Sequence, residues 1–502
     1  MFSSPARLLT ILACVLYAAI RLWGLADACL WFDEIFSVHA AEHTWATILP
    51  FVAVDLIHPP LFYFLLKMWI GIGGDGVFWL RLFPAIVSIL VLVPFLLLCR
   101  ELKMGEWTRV LALVLLAVNG SMVKYAQEVR MYSPLVFLSI TSLWLFARYF
   151  NRGKSFVPLV IVNILLVYTH YFGWLMVLSQ VVAIIIFQRI KLRRIALMTV
   201  IVAASFLPWA VAVLRAAAGG SEVSQNIDWI RRPGFREIRV FLIDLVEPFY
   251  QQASTSQPTS LLVVAGPIFL LTLVAGVIFL IQWKLRDAEE RNRGLWLAVF
   301  VAVPITVAFA GSWLLPYAFW GTRHLIIIFV PAALLMANAF TTISPKWLRI
   351  LLVTLLVGYK SFGFIRYAAE PFEMPQWCGF DRLANEIKFE GGTAVYAFED
   401  LAAYHLWYTG RKDEVPIKIS KIADAQDMTE DKAFFLPRGF DAVGSVGSRK
   451  INEDQFWIIY RAPDWRPDQE PLQSFSTAGY RVGARRTYDS RIGNIYAVEL
   501  TR

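Results

Sequence analysis

The chain has 502 residues, of which 58% are hydrophobic and 17% charged, and its formal net charge is +9. Soluble domains average about 45–50% apolar and about 25% charged residues, so an apolar excess of this size cannot be buried in one soluble core. The composition excludes an ordinary soluble protein and predicts a polytopic membrane protein. Lys and Arg are spread over short loops between apolar runs, which is typical of membrane topology and argues against a nucleic-acid-binding surface.

Apolar runs long enough to cross a bilayer recur along most of the chain. A span needs about 20 mostly apolar residues, and eleven spans are predicted, which gives an α-helical polytopic fold. They cover approximately residues 8–26, 78–98, 107–123, 132–150, 156–171, 172–188, 195–214, 260–281, 295–315, 324–342 and 347–366.

The Lys and Arg bias of the short loops predicts the orientation of the spans. Six basic groups fall on alternate loops, and the side they share is predicted to be the cytoplasm of a bacterial cell. The N-terminus then lies inside, and the C-terminus lies in the periplasm, outside the inner membrane. The six groups are Arg7; Arg100, Lys103 and Arg109; Arg152 and Lys154; Arg189, Lys191, Arg193 and Arg194; Lys284, Arg286, Arg291 and Arg293; and Lys346 and Arg349.

Residues 1–366 are predicted to form the membrane domain, with long outer loops at 27–77 and 216–259. The tail, 367–502, interleaves charged residues with short alternating apolar runs and is predicted to be a small periplasmic α/β domain. Cys29 and Cys378 fall on the same predicted side, which allows a disulfide between them, although their sequence positions do not fix their separation. The alternating runs lie at 393–398, 456–460 and 492–498.

Two adjacent carboxylates, Asp33 and Glu34, directly follow the first span. One interpretation is structural, with both carboxylates stabilising a helix N-terminus. The other is catalytic, with Asp33 as a general base and Glu34 either orienting Asp33 or binding a cation. His58 lies further along the same loop, before two prolines. It is either a surface histidine or, near Asp33, a donor to a phosphate or a metal ligand.

Basic residues also occur on the outer side, where the topology rule disfavours them. Lys124 and Arg130 flank Glu128 in the connection between spans three and four, and ionisable groups at this depth are usually functional or paired. Either an internal salt bridge fixes this connection, or Arg130, with Lys124, meets a phosphate. Arg323 lies just before span ten, and its guanidinium matches phosphate oxygens in a bidentate geometry.

His170 lies in the connection between spans five and six, among aromatic residues typical of a membrane interface. The carboxylates, histidines and arginines thus come from separate stretches of the outer side but lie near one membrane depth. This convergence predicts a site at the level of the lipid headgroups, facing the outer compartment. A site there could use a lipid-linked phosphate donor, whereas a cytoplasmic nucleotide-sugar could not easily reach it.

Four stretches of the outer side, in the order in which they occur along the chain, make the sequence resemble the multispanning GT-C-fold glycosyltransferases. The resemblance is to the branch that is similar to dolichyl-phosphate-mannose protein mannosyltransferases and to the aminoarabinose (lipid A) transferase. It covers roughly residues 1–180, and the remainder matches by topology and by the position of Arg323. The stretches are Asp33-Glu34, His58-Pro59-Pro60-Leu61-Phe62-Tyr63, Tyr125-Ala126-Gln127-Glu128-Val129-Arg130-Met131-Tyr132 and Tyr168-Thr169-His170-Tyr171-Phe172-Gly173.

The resemblance implies an inverting transfer of a sugar from a polyprenyl-phosphate donor to a glycolipid such as lipid A, a polysaccharide or a protein. Asp33 and Glu34 would be the catalytic residues, and a divalent metal ion could take part. His58 stands where relatives of the aminoarabinose type carry Lys, and no Asp-x-Asp motif follows Asp33, which argues against an oligosaccharyltransferase-like metal site. The implied donor- and phosphate-binding residues are Lys124, Arg130, Arg323, His58, Tyr63, Glu128 and His170, and the candidate metal ligands are Glu34, His58 and His170.

A flippase or polymerase for lipid-linked glycans is the alternative function. A flippase would share a basic cavity that faces lipid phosphate but would not need Asp33 as a base. Membrane lipids are the other expected partners, and nucleic acid is not expected. The second outer loop carries four arginines that suit an anionic acceptor or lipid headgroups, or an ordinary interfacial helix. They are Arg231, Arg232, Arg236 and Arg239.

Overall fold

The computed structural model describes residues 5–221, 227, 230–250, 258, 260–370, 374–413, 417–429, 436–438, 440–489 and 493–502. These residues form two compact units. The membrane unit comprises the described parts of Met1–Leu25, Ala41–Gln252 and Ser256–Phe372. The sheet unit comprises those of Ala26–Ala40 and Glu373–Arg502. The start of the first outer loop therefore groups with the tail, whereas composition predicts that all of 27–77 belongs to the membrane domain.

The membrane unit is helical, because its long apolar stretches can satisfy their backbone hydrogen bonds in lipid only within a helix. Its described helices are α1 (Pro5–Leu22), α3 (Ile48–Asp55), α4 (Leu61–Gly73), α5 (Val77–Leu90), α6 (Leu92–Glu101), α7 (Glu106–Ala117), α8 (Gly120–Gln127), α9 (Tyr132–Arg152), α10 (Phe156–Thr169), α11 (Gly173–Phe187), α12 (Leu192–Ala218), α13 (Phe235–Val246), α14 (Leu261–Ile281), α15 (Ala288–Leu314), α16 (Phe329–Thr342) and α17 (Lys346–Ala368). Helix α2 (Phe32–Glu42) belongs mainly to the sheet unit.

Within the described ranges, eight helical segments are long and apolar enough to cross a membrane, so the polytopic membrane fold is confirmed. A bent pair, α7 with α8, makes up to nine. The remaining two predicted spans correspond to α10 and α11, which have 14 and 15 residues. Helices of this length extend about 21–23 Å, less than the apolar thickness of about 30 Å. The number eleven stays a prediction.

The predicted span 107–123 is not straight, because the chain bends by 61° between α7 and α8. Asn119 lies at this break and caps α8, its side-chain oxygen accepting a hydrogen bond from the backbone N–H of Met122 at 2.9 Å. Its amide nitrogen donates to the carbonyl of Asp244 at 2.9 Å. A residue that caps a new helix and also contacts another segment explains why one apolar run becomes two helices.

A closed ring of buried hydrogen bonds joins α9, α10 and α11. The hydroxyl of Ser142 donates to Oδ1 of Asn163 at 2.6 Å. The amide of Asn163 donates to Oε1 of Gln180 at 2.9 Å, and the amide of Gln180 donates to Oγ of Ser142 at 2.7 Å. All three residues are almost completely buried. The ring fixes how α10 and α11 pack, and therefore fixes the connection between them.

The sheet unit contains a six-stranded sheet of order β3-β2-β1-β4-β6-β5. Strands β1 to β4 pair in parallel, whereas β6 pairs antiparallel with both β4 and β5. The predicted C-terminal α/β domain is therefore confirmed, and its three alternating runs correspond to β1, β4 and β6, although Ile492 lies outside the described residues. The elements are α18 (Cys378–Phe389), β1 (Ala394–Ala397), α19 (Asp400–Gly410), β2 (Lys418–Ile422), β3 (Gly444–Val446), β4 (Gln455–Ala462), α20 (Leu472–Thr477), β5 (Arg481–Tyr488) and β6 (Asn494–Thr501).

Cys29 and Cys378 form a disulfide within the sheet unit, with their Cα atoms 5.6 Å apart. Next to it, Trp31 packs against Trp377 with ring centroids 5.8 Å apart. Further along α2, Phe32 and His39 contact Tyr404 of α19, with a distance of 2.9 Å between Nδ1 of His39 and the Tyr404 hydroxyl. One covalent bond and several aromatic contacts thus attach α2 to the tail.

Candidate active site

Asp33 and Glu34 lie in the first turn of α2, in the sheet unit. Oε2 of Glu34 accepts a hydrogen bond from the backbone N–H of Trp31 at 3.1 Å, as the third residue of a helix does in a capping box. Glu34 is 2% exposed, whereas Asp33 is half-buried. Glu34 therefore caps the helix, and Asp33 is the more accessible of the two carboxylates.

His58, Arg130 and His170 come from three separate stretches and lie together in the membrane unit. Nη2 of Arg130 is 3.3 Å from Nδ1 and 3.5 Å from Nε2 of His58. The ring centroids of His58 and His170 are 5.3 Å apart. All three side chains are at most 5% exposed. Because a guanidinium can only donate, the ring of His58 accepts the hydrogen bond from Arg130.

The neighbours of these histidines hold the two loops together. Leu56 ends α3 in the left-handed conformation with φ 64°, which turns the chain towards His58. The hydroxyl of Tyr171 donates to the carbonyl oxygen of Leu56 at 3.3 Å and accepts from Nε1 of Trp209 at 3.2 Å. The loop that carries His58 is thereby hydrogen-bonded to the loop that carries His170.

His324 is a fourth member of this cluster, which the sequence analysis did not include. The ring centroids of His324 and His170 are 5.9 Å apart. The ring of His324 also stacks on that of Phe172, with centroids 5.2 Å apart. Nδ1 of His324 donates to the carbonyl oxygen of Phe319 at 3.2 Å. The adjacent Arg323 is half-buried, and its charge acts on all three histidines. The signal available in the sequence was the position of His324 directly after an arginine on the predicted outer side.

Burial and the two arginines keep the three histidines neutral. Burial first, and then the charges of Arg130 and Arg323, lower the pKa of His170 to about 3. Burial also lowers the pKa of His58 well below its usual range, with the charge of Arg130 as the second cause. For His324 the second cause of a lowered pKa is the charge of Arg323. The cluster thus combines two permanent positive charges with three uncharged imidazoles.

The hydrogen bonds of His170 fix its tautomer. Nδ1 accepts from the backbone N–H of Phe172 at 3.0 Å, so the proton of the neutral ring is on Nε2. This Nε2 is buried and has no hydrogen-bond partner within the part of the chain that the structure describes. A buried donor without a partner costs about 1–3 kcal/mol, which a bound acceptor could recover.

The other predicted donor-binding residues, Lys124, Tyr63 and Glu128, have the following surroundings. The ammonium of Lys124 lies over the ring of Tyr125, 5.5 Å from its centroid. Tyr63 is completely buried in α4, where its ring packs edge-to-face on Phe62. The carbonyl oxygen of Glu128, at the end of α8, accepts a hydrogen bond from the backbone N–H of Arg130 at 2.6 Å. Their predicted contacts with a donor stay predictions.

The candidate metal ligands Glu34, His58 and His170 do not fit a cation well. Among the described residues, no group of three or more His, Cys, Asp or Glu side chains is arranged to hold a metal ion. His58 accepts from a guanidinium, and a positive charge at that distance repels a cation. The chemistry of this cluster suits an anion instead.

The second outer loop supplies two buried carboxylates that the sequence analysis did not single out. Asp244, near the end of α13, accepts a hydrogen bond from the hydroxyl of Thr322, the neighbour of Arg323. Glu247 accepts from Ser121 at 2.8 Å and from Tyr250 at 3.3 Å. Burial, and then the charge of Asp244, raise the pKa of Glu247 to about 8. These contacts attach the second loop to α8 and to the segment that carries Arg323.

No protein-family model and no curated protein sequence matches the chain. Solved structures do. ArnT from Cupriavidus metallidurans in the apo state has a TM-score of 0.60 at 13% identity, covering 99% of this chain and 98% of that one. The same protein bound to undecaprenyl phosphate gives a TM-score of 0.58 at 13% identity, with coverages of 98% and 97%.

The chain has the GT-C fold. The oligosaccharyltransferase of Archaeoglobus fulgidus tethered with an acceptor peptide is also similar, with a TM-score of 0.51 at 14% identity over 81% of this chain. This chain spans only 63% of the length of that protein. The predicted resemblance to GT-C-fold glycosyltransferases is confirmed at the level of the fold.

Proposed function

We propose that this protein is an inverting glycosyltransferase that uses a polyprenyl-phosphate-linked sugar as its donor. The observation that carries the proposal is the cluster of buried Arg130, half-buried Arg323 and three buried, neutral histidines, in which Nε2–H of His170 has no described partner. Two guanidinium groups beside neutral imidazoles suit an anion, and phosphate accepts hydrogen bonds from both guanidinium and imidazole. The GT-C fold, shared with an ArnT that was solved with undecaprenyl phosphate, supports the same ligand class.

The chemistry is a single displacement at the anomeric carbon of the sugar. An acceptor oxygen or nitrogen forms the new bond to this carbon, and the bond from the carbon to the phosphate oxygen breaks. The electron pair of the broken bond stays on the polyprenyl phosphate. The proton of the acceptor passes to the carboxylate of Asp33, which acts as the general base.

Arg130 and Arg323 stabilise the leaving phosphate, because their charges oppose the negative charge that develops on it. Neutral His170 contributes an N–H that can donate to a phosphate oxygen without bringing a further positive charge into the site. His58 orients the guanidinium of Arg130 by accepting its hydrogen bond. The roles of Lys124, Tyr63 and Glu128 are to line the donor site, and Glu34 orients α2 and with it Asp33.

The proposed location is a bacterial inner membrane, with the sheet unit in the periplasm and the N-terminus in the cytoplasm. The distribution of Lys and Arg supports this orientation. The disulfide between Cys29 and Cys378 supports it independently, since such bonds persist in oxidising compartments and are rare in the cytosol. The acceptor is an envelope glycan, lipid or protein.

The test compares purified protein with its Asp33→Asn variant on a panel of polyprenyl-phosphate sugars, with a membrane extract as acceptor. Release of free polyprenyl phosphate is measured. Asn keeps the size of Asp but removes the base, so we expect the variant to bind the same donor and turn over at least about 100-fold more slowly. Asn at Asp27, an exposed carboxylate earlier in the same loop, is the control and should retain full turnover.

Two outcomes contradict the proposal. Equal turnover by the wild type and the Asp33 variant would exclude Asp33 as the base. If neither protein releases polyprenyl phosphate from any donor, but both move an intact lipid-linked glycan across vesicles, then the protein is a flippase rather than a transferase.

A further inference from the structure

A polar cavity lies in the membrane unit, away from the histidine–arginine cluster. It has a volume of about 630 Å³, within the usual range of about 300–1,000 Å³ for a small-molecule site. Its lining comes from the end of α6, the C-terminal ends of α9 and α11, and the first turns of α15. The charged lining residues are Arg100, Glu101, Lys103, Arg152, Glu289 and Arg293.

This cavity and the histidine–arginine cluster lie at opposite ends of the same helices. Arg130 precedes the first residue of α9 and His170 precedes the first residue of α11, whereas the cavity contains Arg152 and Gln188, where these helices end. Helix α9 has 21 residues and therefore extends about 30 Å, which is the apolar thickness of a bilayer. The two sites therefore lie near opposite membrane surfaces.

Two buried donors in this cavity have no hydrogen-bond partner among the described residues. They are Nε1 of Trp296 and Nε of Arg293. Trp296 is only 4% exposed, so water cannot easily reach its N–H. Nη1 of Arg293 donates to the carbonyl oxygens of Leu102 and Lys103, both at 3.1 Å, which fixes the guanidinium at the cavity wall.

The charges in the cavity leave a positive excess. Lys103 pairs with Glu289 at 3.1 Å, and Arg152 pairs with Glu101 at 2.8 Å. Arg100 and Arg293 are the two further cations of the lining, which holds four basic and two acidic side chains. A positive excess beside two unused N–H donors is suited to an anion with oxygen acceptors.

Aromatic rings form another part of the same cavity. Phe150 lies edge-to-face with both Phe187 and Trp296, with ring centroids 6.3 Å apart in each pair. A free inorganic anion would gain nothing from these rings. A ligand that carries an apolar chain next to its anionic group would contact both the rings and the cations.

We propose that this cavity binds the phosphate headgroup of an anionic phospholipid in the leaflet opposite to the histidine–arginine cluster. Arg100 and Arg293 face the phosphate, the N–H of Trp296 donates to one of its oxygens, and the first part of an acyl chain contacts Phe150 and Phe187. Basic pockets between membrane helices recognise anionic lipids in this way. The site is separate from the proposed donor site and does not depend on the transferase activity.

Native mass spectrometry of the purified full-length protein tests this site. The protein is incubated with phosphatidylglycerol, with phosphatidylcholine of the same acyl chains, or with phosphatidylglycerol plus a large excess of inorganic phosphate. Arg293→Gln removes a charge and a guanidinium donor, and we expect it to weaken phosphatidylglycerol binding about tenfold. Trp296→Phe keeps an aromatic ring but removes the N–H, and we expect a loss of about threefold.

The matched control is Arg349→Gln. Arg349 also donates from Nη1 to a backbone carbonyl, that of Thr341 at 3.2 Å, but it is not part of the cavity. Arg100 is exposed, so Arg100→Gln provides a second cavity variant that should fold even if Arg293→Gln does not.

The proposal is supported if phosphatidylglycerol is retained over phosphatidylcholine, is lost in the cavity variants and is unaffected by Arg349→Gln. Displacement of the lipid by inorganic phosphate would assign the cavity to a soluble phosphate instead and overturn the lipid proposal. Equal retention by the Arg100, Trp296 and Arg349 variants would overturn it as well.

Discussion

Arg130 carries a full positive charge into a position that is 4% exposed. Removing a charge from water is costly, and a lipid phosphate in contact with the guanidinium would offset part of that cost. We expect Arg130→Gln to weaken binding of polyprenyl phosphate by about 10- to 100-fold, which corresponds to one lost charge-assisted hydrogen bond. Titration of the purified protein with polyprenyl phosphate, followed by the change in its melting temperature, measures this loss.

Arg130→Lys separates charge from geometry in the same assay. Lysine restores the positive charge but lacks the planar fork, so we expect only partial recovery of binding. Lys67→Gln is the control, because the ammonium of Lys67 donates to the carbonyl oxygens of Ala41 and His43 and is not part of the cluster. Full binding by Arg130→Gln would show that the phosphate is held elsewhere.

The lowered pKa of His170 makes the stability of the membrane unit depend on pH. The unfolded chain binds a proton at His170 below pH 6.5, whereas the folded chain does so only near pH 3. The unfolded state therefore holds more protons in this window, and stability falls as the pH falls from 6.5 towards 3. A single histidine of this kind lowers the free energy of unfolding by about 1.4 kcal/mol for each pH unit below 6.5 in this window, or by about 2 kcal/mol in total at pH 5.

His170→Gln should reduce this pH dependence, since glutamine does not titrate. We expect the melting temperature of the variant to fall less than that of the wild type between pH 7 and pH 5. His43→Gln serves as the control, because His43 is half-buried and stacks on Phe51 outside the cluster. Identical pH profiles for the wild type and His170→Gln would contradict the neutral, buried state of this ring.

Several members of the cluster were predictable from sequence, because they include basic residues on the predicted outer side, where the positive-inside rule disfavours them. The topology rule singled out Arg130 and Arg323, and the positions of His58 and His170 in outer connections singled out the two histidines. Sequence reasoning did not single out His324, because a lone histidine at the start of an apolar run has no distinguishing pattern. The sequence also left the role of Glu34 open, since the capping contact with Trp31 depends on where α2 begins.

At the scale of elements, the buried ring of Ser142, Asn163 and Gln180 holds the helices between which His170 lies. Asn163→Ala leaves polar groups of both partners unsatisfied in an apolar interior. We expect a loss of about 1–2 kcal/mol in stability, since interhelical hydrogen bonds in membranes are individually modest. Polyprenyl-phosphate binding should weaken too, because the connection between α10 and α11 would no longer be fixed. Thermal unfolding and the binding titration report the two effects.

Ser179→Ala is the matched control for this network. Ser179 is also completely buried in α11, but its hydroxyl donates to the carbonyl of Leu175 in its own helix. Its removal should change stability by less than Asn163→Ala and leave binding intact. An equal effect of both variants would mean that the ring contributes only ordinary packing.

Hydropathy placed the apolar elements correctly but did not reveal their breaks. The run 107–123 contains no proline, yet it is divided at Asn119 into α7 and α8. The break depends on the hydrogen bond that Asn119 accepts from Met122 of α8 and on the one that it donates to Asp244 of the second outer loop. A partner as distant along the chain as Asp244 leaves no trace in a hydropathy window. The predicted spans 156–171 and 172–188 were already short, and α10 and α11 are shorter still because the connection 170–172 is not helical.

At the scale of the whole molecule, sequence reasoning found both architectural parts but drew the boundary by composition. Composition changes near residue 367, so the first outer loop was assigned to the membrane domain. The structure instead groups Ala26–Ala40 with the tail through the disulfide and the aromatic contacts of α2. Contacts between residues 349 positions apart cannot be inferred from local composition, although the sharing of one predicted side by Cys29 and Cys378 allowed the bond.

The orientation of the chain is testable through its cysteines, because the four have distinct environments. Cys29 and Cys378 are joined in the sheet unit, whereas Cys14 lies in α1 and Cys99 is buried in α6. In intact cells with a permeabilised outer membrane, a membrane-impermeant maleimide should label the protein only after reduction, and Cys378→Ser should be labelled at Cys29 without it. Lys154→Cys is the matched control, since this exposed position lies in a predicted cytoplasmic loop and should react only after the inner membrane is opened. Labelling of Lys154→Cys in intact cells, with the disulfide pair silent even after reduction, would reverse the proposed orientation and remove the sheet unit from the periplasm.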